Sequence, residues 1–130
     1  MLETDAREAR KALADAQATR DRKGELVALI LLEARQTIAE ADLVELERAS
    51  IADPPVVTSR IALARGLNGD AGALRGAIAR LDEDRLVPDA ARAAALLALR
   101  THDLSERADA ERRLMTLGDL QYLQILAEEW

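Results

Sequence analysis

GLNGDAG, residues 66–72, lies in the run ARGLNGDAGALRGAIARL (64–81), which holds four of the chain's six glycines: Gly66, Gly69, Gly72 and Gly76. A glycine-dense loop suits either a phosphate cradle or a turn between helices. A phosphate loop places its glycines ahead of a Lys and a Ser or Thr. Residues 66–76 contain none of these types. A dinucleotide fingerprint follows a strand, whereas ALARGL (62–67) is built of helix formers. The stretch therefore reads as a helix–turn–helix, with Gly69 closing one helix and Asp70 capping the next.

Outward from this turn the same chemistry continues. Of the 130 residues, 49 % are hydrophobic, mostly Ala and Leu, with no Phe, one Tyr and one Trp. No stretch alternates with period two, so the chain reads as all-α. Breakers and caps divide it into about eight helices, near 3–20, 24–32, 42–50, 56–67, 70–81, 89–100, 104–117 and 120–130. Leu2, Ala6, Ala9, Leu13 and Ala16 form a thin apolar stripe on the first helix. The second carries Leu26, Val27, Leu29, Ile30, Leu31 and Leu32, is apolar nearly all round, and predicts neighbours on every side. The third predicts burial of Leu43, Leu46 and Val44. Pro54-Pro55 is a firm stop before the fourth.

Four turns end in Asp: Glu40-Ala41-Asp42, Asn68-Gly69-Asp70, Thr101-His102-Asp103 and Leu117-Gly118-Asp119. Each predicts an N-cap, because the carboxylate accepts orphan amides of the first helical turn. Asn68-Gly69 and Gly118 predict left-handed closures. Within 70–81, Ala71, Leu74, Ile78 and Leu81 share one face, and Gly72, Gly76 and Ala79 an opposite one. Interior helix glycines cost about 0.5–1 kcal/mol each, so the small face predicts close approach by a neighbouring backbone.

A shift of 33 superposes Pro55 on Pro88, Ala62 on Ala95, Leu63 on Leu96, Asp70 on Asp103, Ala77 on Ala110, Arg80 on Arg113 and Leu81 on Leu114. That order (proline, helix, Asp turn, helix, leucine) is the signal of a two-helix repeat. On these residues the chain resembles the tetratricopeptide repeat family. Residues 56–88 look like one unit, with Ile61-Ala62, Gly69-Asp70, Ala77-Ile78, Leu81 and a closing Pro88. Residues 89–117 look like a second and 24–55 like a shorter one, with Ala, Ile or Leu at the family's aromatic positions. RAAALLALRTHD (92–103) and ERRLMTLGDLQYL (111–123) are similar in style to repeat regions of large bacterial transcriptional activators. The resemblance implies a short right-handed stack of antiparallel helix hairpins, an α-solenoid. The expected layout is a single domain over 1–130: a leading helix (1–22), hairpin repeats (23–118) and a capping helix (119–130).

The chain has no Cys, hence no disulfide and no thiolate metal site. Even its long apolar runs, such as Leu26–Leu32, fall far short of the roughly 20 residues of a membrane span. Residues 1–20 do not resemble a secretory signal, and a reducing, cytoplasmic setting is expected. The 16 Arg against Lys11 and Lys23 suit a GC-rich bacterial genome. A net charge of −6 argues against a nucleic-acid surface.

No residue is assigned to catalysis, a cofactor or a metal. His102, beside Asp103, reads as a turn residue. Asp82-Glu83-Asp84 reads as a solvated loop without the glycine of a calcium site, and Glu40, Asp42, Glu45 and Glu47 as a wet acidic edge. Tyr122 and Trp130, with Leu123, Leu126 and Ala127, read as a terminal packing helix, the alternative being a self-association surface. Residues 54–81 carry Arg60, Arg65, Arg75 and Arg80 against Asp70, a net +3, beside a net −4 over 38–53. These four arginines are the candidate partner-binding residues. The expected partner is an acidic protein or peptide segment, or the Glu40–Glu47 edge of a second copy, with neither nucleic acid nor membrane. The expected function is a non-catalytic protein-interaction or oligomerisation module of a bacterial regulator. The competing reading is a small-molecule-binding bundle or an enzyme with an apolar pocket lined by Leu26, Ile30, Leu97 and Leu117.

Overall fold

A computed structural model describes the backbone of residues 3–32 and 37–130, and the side chains of 7–30 and 37–130. The expected apolar positions Leu2, Ala6, Leu31 and Leu32 lie outside the described side chains. Among the described residues there are eight helices and no strand: α1 Glu3–Thr19, α2 Arg22–Leu32, α3 Glu40–Ala49, α4 Pro55–Asn68, α5 Ala71–Glu83, α6 Val87–Thr101, α7 Leu104–Leu117 and α8 Leu120–Glu129. No described helix is long and apolar enough to cross a membrane.

Three of the four Asp caps form. Asp70 accepts from the Ala73 amide at 2.8 Å, Asp103 from Glu106 at 2.9 Å and Asp119 from Tyr122 at 3.2 Å. Asp42 does not cap. Helix α3 begins two residues earlier, at Glu40, with Ala39 at the N-cap position and no side-chain cap bond. The start of α3 is held from outside instead. The Asn68 side chain accepts from the Ile38 amide at 3.2 Å and donates to the Ile38 carbonyl, while Asp42 pairs with Arg22 at 2.8 Å. Asp21 supplies a cap that the sequence reading missed, accepting from the Gly24 amide at 3.1 Å.

The helix ends differ in kind. Gly118 takes the expected left-handed conformation at φ 69, but Gly69 is extended at φ −95, ψ −162. Gly69 is required by space, since a Cβ there would lie 2.8 Å from the Ala73 Cβ. Among the described residues, left-handed closures fall on three that are not glycine, Arg20 (φ 58), Arg85 (φ 59) and His102 (φ 55). Arg85 donates to the Asp82 carbonyl and Leu86 to that of Leu81, a Schellman closure without glycine. Asp82 and Glu83, read as loop, are the last residues of α5, and Pro88 sits in the first turn of α6, where proline lacks only an orphan donor.

Packing follows chain order. The broadest helix contacts are α1 with α2, α4 with α5, α5 with α6 and α6 with α7; α8 rests on α6 and α7, and α2 and α3 on α4. Two apolar cores result. The larger gathers Leu63, Leu67, Leu74, Leu81, Leu97, Leu114, Tyr122 and Leu126 around α6, whose Ala90, Ala91, Ala93, Ala94, Ala95 and Ala98 are all buried. The smaller holds Leu26 and Ile30 of α2, Leu43 and Leu46 of α3, and Ile61 and Ala64 of α4, while Val44, expected inside, is exposed one position round the helix from Leu43.

The small face of α5 is not packed. Gly72, Gly76 and Ala79 are exposed, and a Cβ on Gly76 would meet nothing within 4 Å. The close approach lies on the other face and the other helix. A Cβ on Gly66 of α4 would lie 3.1 Å from the Leu74 Cα and 3.2 Å from the Ala73 carbonyl. The bulky face of α5 seeks the core, so it is α4 that must be thin where the two backbones meet.

Candidate interaction surface

The four candidate arginines do not form one free patch. Arg60 Nε pairs with Asp89 Oδ2 at 2.8 Å, joining α4 to the first turn of α6. Arg65 lies between two acids of α3, with Nη1 at 2.7 and 2.8 Å from the Glu40 oxygens, Nε 3.2 Å from Glu47 Oε2, and Nη2 on Glu47 Oε1. The match between the basic and acidic segments is thus made by Arg65 within one chain. Hydrogen bonds first to Glu47 and then to Glu40 raise the Arg65 pKa above its ordinary value. Arg75 Nη2 reaches Glu106 Oε1 at 2.6 Å, which raises its pKa likewise. Arg80 is exposed and makes no ion pair among the described residues.

Further polar and charged groups tie helices together, most of them alternate ones, through pairings at long range that local spacing does not reveal. Arg92 of α6 pairs with the cap residue Asp119 at 2.8 Å and lies 4.6 Å over the Tyr122 ring. Arg113 of α7 takes Asp82 of α5 through two bonds of 2.8 and 3.0 Å, and the Asp82 bond is the main cause of its raised pKa. Arg100 of α6 donates to the carbonyls of Gly66, Leu67 and Gly69, closing the C-terminal end of α4. Buried Ser59 donates to Asp84. Lys23 reaches the Ala49 carbonyl at 2.9 Å and Asp53 at 2.6 Å. Its hydrogen bond lowers the Asp53 pKa below the ordinary carboxylate value.

Beside Arg75 the surface dips. An open hollow of about 230 Å³ is lined by Ile78, Ala94 and Leu97 and rimmed by Arg75, Ser105, Glu106 and Asp109. Three helices, α5, α6 and α7, contribute to it. The second Glu106 oxygen is buried without a hydrogen-bond partner. The bare glycine face of α5 also carries Arg80 and is open to solvent. The apolar cavity expected from Leu26, Ile30, Leu97 and Leu117 does not form. Leu26 and Ile30 belong to the smaller core, Leu97 to the larger, and Leu117 is exposed.

His102 closes α6, and its ring meets Trp130 at 5.2 Å with the planes at 61°. Asp103 beside it is occupied as the α7 cap. Arg107 covers Trp130 from 4.7 Å, and Tyr122 and Leu126 are buried in the larger core. Among the described residues no group of three or more His, Cys, Asp or Glu is placed to hold a metal ion. Comparison with protein-family models, curated proteins and solved structures finds no match to this chain.

Proposed function

We propose that the chain is a non-catalytic protein-interaction module, built as a short right-handed stack of antiparallel, tetratricopeptide-like helix hairpins. The supporting pattern is a recurrence of equivalent contacts. Arg60 and Arg92 each sit five residues into an alternate helix, α4 or α6, and each pairs with an Asp at the start of the next alternate helix. The pairs Arg75–Glu106 and Asp82–Arg113 likewise join alternate helices, α5 and α7. Residues 33 apart also take like places. Pro55 and Pro88 stand in first turns, Asp70 and Asp103 are caps, and Leu81 and Leu114 are fully buried. Repeat stacks of this kind bind peptide segments on extended surfaces. The Ala-, Leu- and Arg-rich style of 92–103 and 111–123 supports a place in a bacterial regulator.

The observation that carries the binding role is the hollow of α5, α6 and α7 beside the open face of α5. Its apolar floor accepts a side chain, Arg80 offers a guanidinium fork to carboxylates, and half-exposed Arg75 keeps the donors that Glu106 does not hold. The proposed partner is an acidic peptide segment. Arg60 and Arg65 serve the fold rather than the partner. The test titrates acidic peptides into isotope-labelled protein and follows amide shifts. Shifts on α5 and early α7, weakened by salt and lost in Arg75→Glu with Arg80→Glu, are expected. Shifts confined to other helices, or tighter binding of basic peptides, would overturn the assignment.

A further inference from the structure

We propose that α1 is an exchangeable arm, passing between two copies of this chain to give a reciprocal, arm-swapped dimer. The first observation is the turn that joins α1 to α2. The Asp21 amide donates to the Ala16 carbonyl at 2.8 Å and the Arg20 amide to Gln17 at 3.4 Å, a Schellman closure. Its left-handed residue is Arg20, at φ 58, where a side chain is disfavoured. Thr19-Arg20-Asp21-Arg22 contains neither Gly nor Pro, and every one of these residues is accepted within a helix. By contrast, Pro54-Pro55, Gly69, Pro88 and Gly118 interrupt the junctions α3–α4, α4–α5, α5–α6 and α7–α8. The chain from Glu3 to Leu32 is therefore held as two helices by a closure on one left-handed arginine, one cap bond from the Gly24 amide to Asp21, and the packing of α1 on α2, with no residue that forbids a continuous helix.

The second observation is what α1 touches. Among the described residues its broad contact is with α2, through buried Ala9 and Ala16 and half-buried Leu13. The turn at His102, also without Gly or Pro, differs in this respect. There α7 is fastened to α5 by the Arg75 and Arg113 ion pairs and packs on both α6 and α8. If the Arg20 turn straightens, α1 and α2 become one helix. The α1 segment then lies on α2 of a second copy, and the same contacts are remade between chains. The closure and the Asp21 cap are lost. Helical hydrogen bonds across residues 17–24 replace them, and the positive φ is released.

The test compares hinge variants of the whole chain by sedimentation across the micromolar to millimolar range. Arg20→Gly takes the left-handed conformation freely and interrupts a continuous helix, so dimerisation should weaken roughly tenfold. Asp21→Ala removes the cap, and dimerisation should strengthen roughly tenfold. Gly24→Ala gives a second route in the same direction. Its methyl would lie 2.5 Å from Asp21 Oδ2, so the capping carboxylate must move aside. Because the chain has no cysteine, a spin label on Ala12→Cys is unique. Mixed with isotope-labelled chains that carry no spin label, it should broaden the α2 amides of those chains. Dimerisation that moves the same way in all hinge variants, monomers throughout for both Asp21→Ala and Gly24→Ala, or broadening away from α2 would each overturn the proposal.

Discussion

Gly66 and Gly76 are the same residue type in adjacent helices, with opposite consequences. Gly76 faces open solvent, so Gly76→Ala should stabilise the fold by about 0.5–1 kcal/mol, the worth of the backbone freedom removed. Gly66 stands against the backbone of α5 at 3.1–3.2 Å. Gly66→Ala should therefore destabilise by about 1–3 kcal/mol, as overpacking does. Chemical denaturation of the two variants measures both signs. A helical wheel sorts residues into faces but does not say which face a neighbour covers. That is why the glycines of α5 read as the packed ones, while Gly66 passed as part of a helix end. The left-handed residues Arg20, Arg85 and His102 were equally illegible. Nothing in an arginine or histidine side chain announces a positive φ, and each is held there by the closure bonds around it.

At the scale of helices, caps were legible where Asp follows a closing residue, and misread where another element sets the start. Asp103→Ala should cost about 0.5–2 kcal/mol. Asp42→Ala, which removes only a partly exposed pair with Arg22, should cost no more than about 1 kcal/mol. Equal losses in thermal or denaturant unfolding would count against the distinction. The Lys23–Asp53 pair fastens α2 to the segment after α3 and carries a pH dependence. The Asp53 pKa is lowered in the folded chain. Its stabilisation is therefore fully present above the unfolded carboxylate value of about 4, and is lost as pH falls through the lower folded value. A carboxyl-detected titration should place Asp53 below the ordinary value, and Lys23→Met should return it upward. A midpoint unmoved by Lys23→Met would assign the shift elsewhere.

At the scale of the molecule, the eight described helices and most of their bounds could be read from spacing, because amphipathic period and turn residues are local. The candidate site was legible only in part. Arg60, Arg65, Arg75 and Arg80 look alike as a charge run, yet their partners Asp89, Glu40, Glu47 and Glu106 come from three other helices. Which arginine remains available is decided by packing at long range. The same is true of α4, which faces both cores: Leu63 and Leu67 belong to the larger, Ile61 and Ala64 to the smaller. This arrangement makes α4 a hinge of cooperativity. Melting need not be a single event, because the smaller core has fewer buried side chains to hold it, and nearest-neighbour stacks open from their weaker part. Trp130 reports only the larger core, whereas far-ultraviolet dichroism reports every helix. The dichroism midpoint should precede the tryptophan midpoint, and Ile61→Ala should widen the gap by acting on the early phase, at a cost of about 2–5 kcal/mol. Leu63→Ala should instead draw the late phase down toward the early one. Coincident midpoints in all three proteins would mean that α4 welds the two cores into one unit that lives and dies together.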